Sequence, residues 1–322
     1  MSFYEFDDLL QLELPTTEPL IENVLMARDK VLLFANPKVG KSVLSEQAAA
    51  CLAGGHPFLG FKVAGPQHVL YISAEGDVDE VQENGRHMNK VLPVGKNKLW
   101  YWMLPEEPLN TRKGFELLCE QADRIKGQIG SYPALTIFDP AYALMVGSLS
   151  KDESVGPLLR NLNRYQEYTE GGSLLIVHHT HRAKRTPTGE IVVEGDDSFM
   201  GTFLWKAWPK TVFLLGMRAD KYRVLTCDTH RRKSMFPEEG LLLTMVEPDP
   251  LCYEVKEEGV TPVVATVRAL LRLAPMSVTE LERATEKSHG AVTEAVQYWN
   301  TKGMLEVQET ARAAKFKWRG EV

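Results

Sequence analysis

Short apolar runs punctuate the chain, and between them lie stretches in which apolar residues recur with a helical period. Val31–Phe34, His68–Ser73, Lys98–Leu104, Ala134–Asp139 and Leu174–His179 are continuous enough to be strands buried on both faces. They alternate with helical segments: Val43–Leu52, rich in alanine, Gly114–Lys126, and a helix that ends near Glu170. Strand, helix, strand in repetition predicts an α/β fold with a central, mostly parallel sheet. Thr211–Gly216, Tyr222–Cys227 and Leu241–Val246 are expected to complete that sheet, and Leu20, Ile21, Val24 and Leu25 to form a short helix packed against it. Pro248, Asp249, Pro250 and Pro262 then interrupt the pattern. The expected division is a core over 1–250 with a lead-in at 1–30, a linker at 251–262, and a small domain at 263–322.

That small domain has its own grammar. Val263–Leu273 is amphipathic, Ser277-Val278-Thr279-Glu280 carries a helix-capping signature, and Ser288–Lys302 gives a third helix ended by Gly303. Met304–Val307 and Lys315–Trp318 follow as a two-stranded hairpin, so the unit resembles a winged helix. Its exposed recognition face would present Ser288, His289, Thr293 and Gln297, and its wing Arg312, Lys315, Lys317 and Arg319. From residue 261 onward there are nine Lys and Arg against seven Asp and Glu, a balance of +2 that leaves −8 for the rest. Such a balance favours duplex DNA only mildly, and docking of a protein partner is an equal expectation.

Composition narrows the class. A chain of 322 residues with 44% hydrophobic and 25% charged content can bury a full core, and its net charge of −6 gives no overall nucleic-acid footprint. Any DNA contact must come from a local basic surface. Cys51, Cys119, Cys227 and Cys252 form no Cys-x-x-Cys pair and are expected to be free thiols in a reducing compartment. No stretch approaches a membrane span, and Glu5, Asp7 and Asp8 near the amino terminus are unlike a signal peptide, so a cytoplasmic protein with no membrane partner is expected.

The strongest chemical signal is Ala35-Asn36-Pro37-Lys38-Val39-Gly40-Lys41-Ser42, set between a strand and the helix that begins near Val43. This is the context of a P-loop: backbone N–H groups and the helix N-terminus surround a triphosphate, a lysine reaches its β and γ oxygens, and the next hydroxyl ligates Mg²⁺. Lys41 and Ser42 take those roles, with ATP and Mg²⁺ the implied ligands. Ala35 stands where the pattern usually has glycine, which requires negative φ at that position.

Four further sites carry candidate chemistry. Glu75, just past a core strand, either activates the water that attacks the γ-phosphate or caps the acidic run that extends to Glu80. Asp139 ends an apolar strand; an acid there implies a metal partner, making it the Walker B candidate, the bland alternative being a cap for the turn at Pro140. His178 and His179 close another strand, where one could report the γ-phosphate and the other could be a structural histidine; zinc held with His181 is the weaker rival. Directly afterwards, His181–Gly189 brings together Arg182, Lys184 and Arg185 in a loop suited to a phosphate backbone, or else to solvent.

Taken in order, Pro37–Ser42, Gly54–Gly60, Val69–Glu75, Phe138–Pro140 and Val177–Thr180 resemble the RepA-like branch of RecA-type ATPases, a branch related to DnaB-type hexameric replicative helicases and frequent on plasmids, phages and other mobile elements. The resemblance covers roughly residues 15–250. It implies a RecA-like sheet, nucleotide held between neighbouring subunits, Glu75 as catalytic base, His178 or His179 as γ-phosphate sensor, and the 181–189 segment as a loop touching single-stranded DNA. It also implies a cation delivered from the adjacent subunit, for which Arg231 and Arg232 are the candidates. The resulting expectation is a homo-oligomeric, hexameric ring that hydrolyses ATP to move along or remodel single-stranded DNA. Its rival is an ATP-switched DNA-binding or helicase-loading factor whose carboxy-terminal domain recognises duplex DNA or a replication protein.

Overall fold

The computed structural model describes residues 5–12, 18–179, 184–185, 191–192, 201–218, 222–230, 236–246, 251–256, 261–309 and 313–319. In chain order its elements are α1 (Phe6–Gln11), β1 (Pro19–Ile21), β2 (Leu25–Met26), β3 (Lys30–Ala35), α2 (Lys41–Gly54), β4 (Val69–Ser73), α3 (Val78–Asn89), β5 (Leu99–Met103) and α4 (Arg112–Ile129). They continue with β6 (Leu135–Asp139), a 3₁₀ turn (Ala141–Leu144), α5 (Asp152–Tyr168), β7 (Ser173–His179), β8 (Lys184–Arg185), β9 (Ile191–Val192), α6 (Leu204–Ala207), β10 (Thr211–Met217), β11 (Arg223–His230), β12 (Leu241–Val246) and β13 (Cys252–Val255). Last come α7 (Pro262–Leu273), α8 (Val278–Thr285), α9 (His289–Thr301), β14 (Leu305–Glu309) and β15 (Ala314–Trp318).

Nine strands form one sheet in the order β13-β12-β11-β10-β3-β7-β6-β4-β5. From β10 to β5 every neighbouring pair is parallel, whereas β10 through β13 pair antiparallel. Parallel pairing requires helical crossovers, and these cover the two faces with separate apolar clusters. One face packs β-strand residues such as Val31, Leu33, Tyr71, Ile137 and Val177 against Leu44, Ala48 and Leu52 of α2. The other packs Leu32, Phe34, Leu70, Ile72, Phe138 and Ile176 against Leu118 and Ala122 of α4 and Leu158 and Leu162 of α5. The period of two along each strand therefore decides which side chains meet α2.

Two expectations about local structure are corrected. Leu20, Ile21, Val24 and Leu25 lie in and beside a hairpin, not a helix: Pro19 pairs with Met26 and Ile21 with Leu25 around Asn23 at φ 59°. Its backbone is also claimed by a second segment, with Glu22 donating to the Lys62 carbonyl and Ala64 to that of Leu20, so tertiary hydrogen bonding overrides a short apolar spacing. The expected linker at 251–262 begins with sheet structure, because Cys252–Val255 pairs with Val246–Leu243 as the edge strand β13. Pro262 opens α7, where a missing N–H removes no helical hydrogen bond, and Pro248 and Pro250 lie outside the described residues.

Beyond β13, α7, α8 and α9 enclose a third apolar cluster containing Val267, Leu271, Leu281, Val292, Val296, Trp299, Leu305 and Trp318. The capping signature at Ser277 is formed in full: its hydroxyl accepts from the Glu280 N–H at 3.3 Å, and the Glu280 carboxylate accepts from the Ser277 N–H at 2.7 Å. β14 and β15 form an antiparallel pair. The cluster also includes Val246 and Cys252, so these helices rest on the antiparallel edge of the main sheet. Among the described residues no helix is long and apolar enough to cross a membrane.

Candidate active site

The carboxyl ends of β3, β6 and β7 lie side by side, with β4 beyond β6. Ala35 is the last residue of β3, held by parallel pairing to His179 and Leu215, and its φ is not positive; the strand conformation explains why alanine is accepted there. The chain then turns through Asn36 and Pro37, with Lys38 at φ 64° and Gly40 at φ 95°, before α2 starts at Lys41. Gly40 is the N-cap of α2 and supplies no side chain to cap it, so the first-turn N–H groups face outward without a capping partner. An uncapped N-terminus preceded by a left-handed turn is suited to an anion. Ser42 follows within the first helical turn, Val43 is half-buried, and the Lys41 side chain is largely buried.

Strand parity brings Tyr71, Ser73, Asp139 and His179 to the face covered by α2. Asp139 is 4% exposed. Its Oδ2 accepts from the Tyr71 hydroxyl at 2.6 Å, and the same hydroxyl lies 2.8 Å from Ser45 Oγ on α2. Its Oδ1 is buried with no hydrogen-bond partner among the described residues. A cavity of about 220 Å³ adjoins it, lined by Ser42, Glu46, Ser73, Glu75, Glu80 and Asp139 among others. Burial, then Asp139 and Glu80, push the Glu46 carboxyl up to about 8. An orphaned buried carboxylate oxygen beside a hydroxyl and further carboxylates fits a hard cation such as Mg²⁺. Among the described residues no three His, Cys, Asp or Glu side chains converge as metal ligands.

Glu75 stands at the exposed rim of the same cavity. Burial raises its pKa and the nearby Asp139 raises it further, while Lys41 opposes both. It is not a helix cap, since α3 begins at Val78 with Asp77 as N-cap residue.

The two histidines separate cleanly. His178 points to the opposite face of the sheet, 1% exposed, its ring 4.5 Å from Trp205 and 5.1 Å from Phe34, with Nδ1 2.6 Å from the His179 carbonyl oxygen. It is a core residue. His179 is half-buried on the α2 face, its ring 5.1 Å from Tyr142. Burial first, and then the Lys41 ammonium, lower its pKa to about 4, so it is a neutral imidazole at pH 7.

The remaining expected site residues fall elsewhere. Arg182, Arg231 and Arg232 lie outside the described residues. Lys184 and Arg185, expected in an exposed loop, form a two-residue strand antiparallel to Ile191–Val192. Lys315 is engaged by Glu280 at 2.9 Å, which makes it a bracing residue of the carboxy-terminal unit, whereas Lys317 is exposed on β15. Sequence reasoning missed Tyr71, Glu46 and Tyr253. Tyr71 was discoverable, because a hydroxyl in the middle of an apolar strand needs a partner; the other two depend on contacts far apart in sequence.

The profile of a family described as AAA domain matches residues 2–185, more than half of the chain. Among solved structures, the flagellar accessory protein FlaH from Methanocaldococcus jannaschii is similar at 12% identity, with 71% of this chain and 91% of that one covered and a TM-score of 0.46. No curated protein matches the sequence.

Proposed function

The chain belongs to the AAA domain family and is a P-loop ATPase with a RecA-like core, and on that premise we propose that it is a ring-forming, Mg-ATP-hydrolysing motor on single-stranded DNA, a replicative helicase of the RepA-like kind. The observation that carries this reading is the position of His179. It lies on the α2 face of the sheet, close enough to Lys41 to feel its charge, and it is the last residue of β7 before the basic 181–189 segment. One strand thus links the phosphate site to the best candidate DNA contact, Arg182, Lys184 and Arg185.

In this account the loop from Ala35 to Val43 holds the triphosphate, with Lys41 on the β and γ oxygens. Ser42 and Asp139 would hold Mg²⁺, which would supply charge neutralisation on the phosphate oxygens. The Tyr71 hydroxyl fixes Asp139 in place from behind. Glu75, made more basic by its surroundings, accepts the proton of the attacking water. Neutral His179 donates a hydrogen bond to the γ-phosphate and moves when that group leaves. Arg231 or Arg232 of a neighbouring subunit completes the charge stabilisation.

A second reading is an ATP-switched DNA-binding or loading factor that recognises duplex DNA or a protein through a carboxy-terminal winged helix. It is supported by the ion pair of Arg268 on α7 with Glu254 on β13, which fastens the helical unit to the ATPase sheet. Steady-state ATP hydrolysis with and without single-stranded DNA, with particle mass read on the same samples, distinguishes the two. The motor requires several-fold stimulation by a single strand and a ring-sized particle. Slow turnover indifferent to every single strand would overturn it in favour of the switch.

A further inference from the structure

The edge strand β13 reaches the phosphate loop through one side chain. Tyr253 is 2% exposed, and its backbone is clamped on both sides by Gln47 of α2: its N–H donates to Oε1 at 2.6 Å and its carbonyl accepts from Nε2 at 2.8 Å. Its hydroxyl donates to the Val39 carbonyl at 2.9 Å and lies 3.3 Å from that of Gly40. The approach is close enough that a Cβ on Gly40 would sit 2.1 Å from the hydroxyl oxygen. Gly40 is therefore constrained twice, by its φ of 95° and by the tyrosine behind it. Arg223 of β11 adds a donor to the Val39 carbonyl at 3.3 Å.

These contacts set the direction in which the loop presents its donors. In a trans peptide the C=O and the following N–H point to opposite sides. Holding the Val39 and Gly40 carbonyls toward β13 turns the N–H groups of Gly40 and Lys41 away from it, toward the space where a phosphate would lie. Tyr253 does this from a strand anchored to the helical unit: Arg268 of α7 pairs with the adjacent Glu254 at 2.5 Å and stacks its guanidinium 4.8 Å from the Trp299 ring of α9.

We propose that Tyr253 is a positioning residue for the phosphate loop, and that the carboxy-terminal helices, by holding β13 through Arg268 and Glu254, set the affinity of the loop for nucleotide. The proposal rests on the reading of residues 35–43 as a nucleotide site. A ligand that loads the helical unit would then change nucleotide affinity, and nucleotide would change that ligand's affinity by the same factor.

The test uses the full chain, a fluorescent ADP with Mg²⁺ as probe, and ATP turnover. Tyr253→Phe removes one oxygen and keeps the ring. Losing one hydrogen bond that orients the loop is expected to weaken nucleotide binding by about fivefold and to raise KM for ATP in proportion, with kcat within about twofold of the parent. Glu254→Gln, which keeps the shape of β13 but weakens its tie to Arg268, is expected to shift affinity in the same direction, and the double variant to fall short of the product of the two. A merely structural role would lower the unfolding midpoint and leave the affinity of the folded protein untouched. Parent-like affinity in Tyr253→Phe, or in Glu254→Gln should the first variant not fold, overturns the proposal. A parent chain that binds no nucleotide would instead overturn the reading of the loop on which the proposal stands.

Discussion

The phosphate end of the parallel sheet and the carboxy-terminal helical unit treat their charged groups differently. Around the strand ends, Asp139 keeps a buried oxygen with no hydrogen-bond partner among the described residues, and burial with nearby charges shifts Glu46 of α2 to about 8 and His179 to about 4. In the helical unit Arg268 is matched by Glu254, Lys315 by Glu280, and His289 by Glu282. Groups left wanting in a fold that otherwise pairs its charges are costly, and they persist where a ligand supplies the missing partner. Groups that are matched internally hold elements in place. The first region is built to be completed by something else; the second is built to stay where it is.

Substitutions can break this contrast, and the greatest effect is expected at Lys41. Lys41→Ala should lower ATP turnover by at least about a hundredfold, as expected when a preorganised cation on the transferred group is lost; steady-state hydrolysis measures it, and turnover near that of the parent would refute the site. Glu75→Gln should lower kcat by roughly 10²–10⁴-fold while nucleotide still binds, a split read by turnover beside equilibrium binding. Tyr71→Phe removes a hydrogen bond to a buried carboxylate, and chemical denaturation should show a loss of about 1.5–3 kcal/mol.

A smaller effect is expected from pH. His179 has a folded pKa of about 4 against 6.5 for the free side chain. The unfolded chain therefore binds the proton more readily, so stability falls as pH drops from 6.5 toward 4 and is constant above 6.5 on this group's account. Exposure discounts the size to on the order of 2 kcal/mol, and His179→Gln should flatten that limb in denaturation curves taken across the range. Least affected should be Lys315→Ala, because a half-exposed ion pair contributes about 0–1 kcal/mol; if it instead abolished DNA binding while leaving stability intact, the bracing role assigned to Lys315 would be wrong.

Much of the site could be seen in the sequence because its residues are local to their elements. Lys41 and Ser42 follow a strand and open a helix, and Asp139 ends an apolar run, so type and spacing alone placed them. The ambiguity between His178 and His179 was a matter of parity: Val177 and His179 share the α2 face while Ile176 and His178 alternate between faces with them, and only packing against Phe34 and Trp205 decides which histidine is core. What the sequence hid depends on chain segments that meet across the fold. Tyr253 lies about two hundred residues beyond the loop it supports, in a strand bracketed by prolines that imitate a linker. The hairpin at β1 and β2 was hidden for the same reason, since residues 62–64 supply its partners.

In the proposed motor, β7 carries the state of the phosphate site to the basic segment that follows it. The most direct measurement is the affinity of the full chain for a labelled single strand, by fluorescence anisotropy at fixed salt, with Mg²⁺ and either a non-hydrolysable ATP analogue or ADP. For such a motor the affinities should differ several-fold between the two nucleotide states. Equal affinities in both would contradict it.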